Sequence, residues 1–106
     1  MNSKRKGSNA ERELAAFLTA MGHPAHRNDQ RFRGGYDNAD VVAEGLEQYH
    51  FEVKRTERLN LGEAMRQAEA DCAGKIPVVA HRRNRQPWLV TLRLDDWLKG
   101  MKDHVD

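Results

Sequence analysis

The chain has 106 residues, with 18 Lys and Arg against 16 Asp and Glu, for a net charge of only +2. A chain this short buries roughly 60–70% of its extended surface, so a single domain over residues 1–106 with a thin core is expected. Its one cysteine excludes an intramolecular disulfide and a cysteine-based zinc site, and no apolar run is long enough for a membrane span, so an intracellular, cytoplasmic protein away from the membrane is expected.

The first helix is expected over residues 8–21, where Leu14, Phe17, Leu18 and Met21 recur at helical spacing. Ser8, with Glu11 three residues on, has the S-x-x-E pattern of a capping box, and Gly22 and Pro24 mark the helix end. A short strand at 25–27 precedes a polar, Gly-containing loop over 28–38. Residues 39–43 read as a short buried strand and Glu44-Gly45 as a turn. The clearest strand covers 48–54, where Tyr49, Phe51 and Val53 alternate with His50, Glu52 and Lys54. A second helix is expected over 61–73, with Leu61, Ala64, Met65, Ala68 and Cys72 on one side and Gly74 as its stop. Strands at 76–81 and 88–94 flank a basic turn at 82–87. Asp95-Asp96 then opens a short helix to Lys99, and the tail beyond Gly100 is expected to fray. This order gives an α/β domain with a central mixed β-sheet flanked by helices.

Strand alternation places Glu52 and Lys54 on one face, with His50 beside them. By itself that pair also reads as a surface ion pair. Asp40 opens the preceding apolar strand, and the short turn between the strands can bring it close to Glu52. Two neighbouring carboxylates repel unless a cation lies between them. An all-oxygen set suits Mg²⁺ or Mn²⁺. Lys54 beside such an ion could orient or deprotonate a water, or stabilise charge growing on a phosphate. Glu11, besides its capping pattern, lies on the edge of the apolar stripe and can lean toward the sheet, whereas Arg12 and Glu13 point further away. Asp37 is a lesser substitute for Asp40 because it sits in the loop. His23, His26, His50 and His81 lack the spacing of a zinc site. His50 shares the face of Glu52 and could contact phosphate, but reads first as an ordinary strand histidine. Trp88 and Trp97 read as core or as a dimer surface.

Asp40 followed by Glu52-Val53-Lys54 resembles the PD-(D/E)xK nuclease signature, with Ala39 where that signature has Pro. The opening Arg5-Lys6-Gly7-Ser8-Asn9-Ala10-Glu11-Arg12-Glu13-Leu14 is similar to that of the archaeal Holliday-junction resolvases. The resemblance covers residues 5–80. It implies a restriction-endonuclease-like core, and a homodimeric endonuclease that cuts branched DNA with Mg²⁺ or Mn²⁺. It further implies that Asp40, Glu52, Glu11 and the Val53 backbone carbonyl hold metal and that Lys54 assists the attacking water. Gln67 takes the place of a supporting glutamine, its other reading being an exposed helix residue. The loop 28–38 stands where resolvases have a mobile DNA-contacting segment. It is richer here in Arg and Gly and lacks the family's small hydroxyl residue.

The cations expected to meet phosphate are Lys6, Arg27, Arg31, Arg33, Arg55, Arg58, Arg82, Arg83 and Arg85. The competing readings are a nuclease of the same core acting on nicks, ends or duplex, a non-cleaving DNA-binding module, and a protein-interaction subunit. Clustered acids argue against the last two, because a binder has no need of charges that repel phosphate. A phage or mobile-element context is expected by association alone.

Overall fold

The computed structural model describes residues 3–28 and 39–102. Helix α1 spans Ser3–Ala20, starting more than a turn earlier than expected. Lys4, Arg5 and Lys6 are good helix formers, and a single Gly7 costs only about 1 kcal/mol, too little to interrupt them. Ser8 is therefore inside the helix, and the expected capping box at Ser8 and Glu11 is not formed. The buried stripe also differs from the expected one. Ala10, Leu14 and Ala15 are buried with Leu18 beside them, whereas Phe17 and Met21 are 44% and 65% exposed. The two alanines let the helix approach the sheet closely, and the larger side chains sit on the flank. The helix closes as the glycine suggested. Gly22 has φ +99°, its N–H donates to the Thr19 carbonyl at 3.1 Å, and the His23 N–H donates to the Leu18 carbonyl at 2.9 Å. That pair of bonds is a Schellman motif.

The sheet contains β1 (Ala25–Arg27), β2 (Val41–Ala43), β3 (Tyr49–Arg55), β4 (Ile76–Arg82) and β5 (Leu89–Thr91), in that spatial order. Neighbours run antiparallel except β3 and β4, which are parallel. A parallel pair needs a crossover, and α2 (Leu61–Asp71) supplies it. The mixed sheet flanked by helices is the architecture read from the element order. Individual strands differ at their ends: β2 is shorter than the expected 39–43 and leaves Asp40 at a bend, and β5 is shorter than 88–94.

The two faces of the sheet are covered differently. Val41, Phe51, Val53, Val78 and Ala80 pack with Ala10, Leu14 and Ala15 of α1. On the other face, Val79 packs with Ala64 and Ala68 of α2. Residues paired across strands share a face. Glu52, opposite Val79 in the parallel register, therefore projects toward α2, and Lys54, opposite His81, does the same. The N-terminus of α2 carries a side-chain N-cap. Asn60 accepts from the Glu63 N–H at 3.1 Å, and its amide reaches back to the Glu63 carboxylate at 3.5 Å.

Helix α3 (Leu94–Lys102) runs past the expected end at Lys99; the rest of the tail lies outside the described residues. Asp95 accepts from the Asp96 N–H at 3.0 Å and pairs with Arg93 at 2.8 Å. The Arg93 hydrogen bond is the main reason that the Asp95 carboxyl is held below its usual range. Among the described residues, no helix is long and apolar enough to cross a membrane.

Candidate active site

The site is built where β2 ends against β3. Val41 pairs with Phe51. One residue earlier the chain bends, and the Asp40 N–H donates to the Phe51 carbonyl at 2.9 Å. Here the ladder changes character. The next outward N–H of β3, that of Val53, is taken by the Asp40 side chain, with Oδ2 2.9 Å from the Val53 nitrogen. The Asp40 carboxylate thus lies against the peptide that joins Glu52 to Val53. In an extended strand a residue's N–H and C=O point to the same edge, so the Val53 carbonyl also faces the Asp40 side. Asn28 fastens the other flank. Its N–H donates to the Asp40 carbonyl at 3.0 Å, and its amide donates to the Ala39 carbonyl at 2.9 Å.

Glu52 is 4% exposed and so is buried. Burying a carboxylate is costly unless it is paired. Its polar neighbour on the same strand face is His50, whose Nε2 is 3.8 Å from Glu52 Oε1. His50 is 1% exposed, which corrects the expectation that it could reach a phosphate. Lys54, one step along the face, is half-buried and donates from Nζ to Gln67 Oε1 at 3.2 Å. Gln67 is both an exposed helix residue and a partner of Lys54, so the two sequence readings coincide. A cleft of about 320 Å³ opens here, lined by Lys54, Leu59, Asn60, Glu63, Ala64 and Gln67.

Glu11 does lean toward the sheet. It pairs with Arg27 of β1 at 2.7 Å, on the α1 side. Glu52 projects on the α2 side, and among the described residues no three His, Cys, Asp or Glu side chains gather where they could hold a metal ion. The structure thus sets Asp40 against the peptide that joins Glu52 to Val53 and holds Glu11 apart from it on Arg27. Asp40, Glu52 and the Val53 carbonyl offer an all-oxygen set of two carboxylates and a backbone carbonyl. That set fits a hard divalent cation that keeps several waters and takes its remaining ligands from a phosphate.

The arginines divide into groups. Arg27 is held by Glu11. Arg55 reaches Glu13 at 3.4 Å and Asn84 at 2.9 Å, and Arg82 pairs with the same Glu13 and with the Gln86 carbonyl at 2.5 Å. These three were read as phosphate contacts, and in this structure they serve internal ion pairs. Glu13, read as pointing away, instead ties α1 to the ends of β3 and β4. Arg58, Arg83 and Arg85 are exposed. Arg31, Arg33, Asp37 and the Lys6 side chain lie outside the described residues.

The model of a family described as "Phage putative PDDEXK endonuclease" matches residues 2–105. No curated protein matches the sequence. Among solved structures, the chain is similar to Hjc from Archaeoglobus fulgidus, described as a Holliday junction resolvase from an archaeal hyperthermophile. The two share 26% identity with a TM-score of 0.55, over 82% of this chain and 72% of Hjc. The α/β architecture is that of the restriction-endonuclease-like fold.

Proposed function

The chain belongs to the phage PDDEXK endonuclease family, and from that premise we propose that it hydrolyses phosphodiester bonds in branched DNA, using a divalent cation held by Asp40, Glu52 and the Val53 carbonyl. Nuclease chemistry on DNA follows from the family and from the likeness to Hjc. The observation that carries the site assignment is the bond from the Val53 N–H to Asp40 Oδ2. It sets the Asp40 carboxylate against the peptide that joins Glu52, 12 residues on in sequence, to Val53. No simple ion-pair reading of Glu52 and Lys54 requires that arrangement.

When bound, Mg²⁺ or Mn²⁺ supplies charge stabilisation to phosphoryl oxygens and lowers the pKa of a bound water. The protein's own groups do the rest. Asp40 and Glu52 are held rigidly, one by a backbone hydrogen bond and the other by burial. Lys54 presents an ammonium beside them, where it can stabilise charge on a phosphate or orient a water. Gln67 fixes the end of a flexible side chain and lowers the entropy that Lys54 loses on engaging substrate. Glu11 is the candidate to join this set when Arg27 turns to phosphate. Arg58, between β3 and α2, and Arg83 and Arg85, between β4 and β5, are exposed and are candidates to hold the DNA backbone. A cleft lined by Thr56, Leu59, Arg82, Arg83 and Gln86 shares Leu59 with the cleft at Lys54.

Support for branched DNA comes from the likeness to Hjc and from the similar N-terminal segment. The test is cleavage of a four-way junction and of a matched linear duplex, each with Mg²⁺ and with chelator. Metal-dependent cutting that is faster on the junction is expected. Equal rates on both substrates would remove the branched-DNA reading and leave a nuclease acting on duplex, nicks or ends. Cutting that survives Lys54→Ala and Asp40→Asn unchanged would remove the site.

A further inference from the structure

The metal-site reading leaves one buried polar group unused. His50 is 1% exposed, and among the described residues its Nε2 has no hydrogen-bond partner. Strand alternation puts it on the face of Glu52, and the nearest carboxylate oxygen, Glu52 Oε1, is 3.8 Å away. A hydrogen bond between these atoms needs about 2.7–3.2 Å, so a shift of less than ~1 Å would close it. Across the parallel pair Glu52 lies opposite Val79 and His50 opposite Pro77, neither of which offers a side-chain acceptor. A buried ring nitrogen without a partner is unfavourable and rare in folded proteins. A carboxylate sitting just beyond reach of it marks a contact that forms in another state of the site.

We propose that His50 is a positioning residue for Glu52. With its proton on Nε2, the ring donates to one carboxylate oxygen when the other is drawn toward a bound cation. This inference rests on Glu52 being a metal ligand, and it adds the group that fixes the orientation of that ligand. Ligating carboxylates are commonly hydrogen-bonded from behind, and loss of such a partner lowers metal affinity about 10- to 100-fold. The same residue explains why Glu52 can be buried: its second oxygen has a donor waiting on the protein side.

The test is Mn²⁺ binding by calorimetry on the full chain without DNA, together with thermal melting of the metal-free protein. His50→Phe keeps the volume but not the donor, and should bind Mn²⁺ about 10- to 100-fold more weakly. His50→Gln places an amide nitrogen where Nε2 stood, and should recover most of that loss. A purely structural histidine would give a different pattern, in which melting shifts but Mn²⁺ affinity matches wild type in both variants; that result overturns the proposal. If His50→Phe does not fold, the wild-type imidazole is followed by ¹⁵N NMR through a Mg²⁺ titration. Movement of the His50 Nε2 signal at saturating metal supports the contact, and an unmoved signal with metal bound overturns it. Wild type that binds no Mn²⁺ and no Mg²⁺ overturns the metal-site reading itself, an outcome distinct from binding that is indifferent to His50.

Discussion

At the scale of single residues, Asp40 and Lys54 make different predictions although both are assigned to the one proposed site. Asp40 has a structural duty as well as a charge, because its Oδ2 completes the β3 edge at Val53. Asp40→Asn keeps an oxygen acceptor for that N–H. It should fold with wild-type stability and lose metal-dependent cleavage. Asp40→Ala leaves the backbone donor without its partner and should also lose about 1–3 kcal/mol of stability, seen in chemical denaturation. Lys54 is half-buried and bonds to Gln67 on the surface, so Lys54→Ala should fold normally. Its cleavage rate should fall by a factor on the order of 10² or more, while DNA affinity at fixed salt changes little, because one charge is a small part of a many-phosphate contact. Equal loss of binding and cleavage in gel-shift and cleavage assays would show that Lys54 acts as a tether instead. His81 carries a pH prediction. Burial pushes its pKa below the usual 6.5, and its Nε2 meets Thr91 Oγ1 at 2.9 Å. A lowered folded-state pKa means that the unfolded chain binds the proton more readily, so stability is present above 6.5 and declines as the pH falls below it. Melting temperature should drop between about pH 7 and pH 5, and His81→Gln should flatten that slope.

At the scale of elements, the helix ends show what a sequence window can and cannot tell. Gly22 was legible because only the local backbone decides a Schellman turn: φ +99° suits glycine and few other residues. The side-chain cap was misplaced because S-x-x-E and N-x-x-E look equivalent in isolation, and the choice depended on where the preceding residues stop being helical. Asn60→Ala should therefore destabilise the protein by about 1 kcal/mol, and Ser8→Ala by only a few tenths; urea denaturation of both distinguishes the two caps. The polar–apolar alternation of β3 was legible, since a period of two needs only seven residues to show itself, but the burial does not alternate: His50 and Glu52 are buried along with Phe51 and Val53. Which way Glu13 points was not, because its partners Arg55 and Arg82 lie 42 and 69 residues away along the chain. His50 was legible as a member of the active face. Its complete burial was not, because that depends on α2 packing its alanines over the strand.

At the scale of the whole molecule, one surface remains to be accounted for. Leu89, Val90, Leu94, Trp97, Leu98 and Met101 are each about half exposed or more. They belong to β5, the last strand of the sheet, and to α3. Side chains of this size leave on the order of 600 Å² of accessible apolar surface, approaching the ~800 Å² that each partner contributes to a standard interface. Val90, Leu94 and Trp97 line one shallow groove, and monomers rarely leave large exposed apolar surface unused. A second copy of the chain is the occupant that the resemblance to resolvases implies, and a three-residue edge strand with a helix beside it can meet its own copy across a two-fold axis. The expected result in analytical ultracentrifugation is a dimer, and Trp97→Glu with Leu94→Glu should shift it toward monomer. Because these residues are exposed in the single chain, the monomer should keep its fold by circular dichroism. The proposed site on the α2 face draws its residues from a single copy, so the monomeric variant should still cut, slowly, at single phosphodiesters. What it should lose is paired cutting of a junction, since two incisions on opposite strands within one binding event need two sites held at a fixed separation. A double variant that remains a dimer, or a monomer that still resolves junctions by paired cuts, would contradict this assignment of the surface.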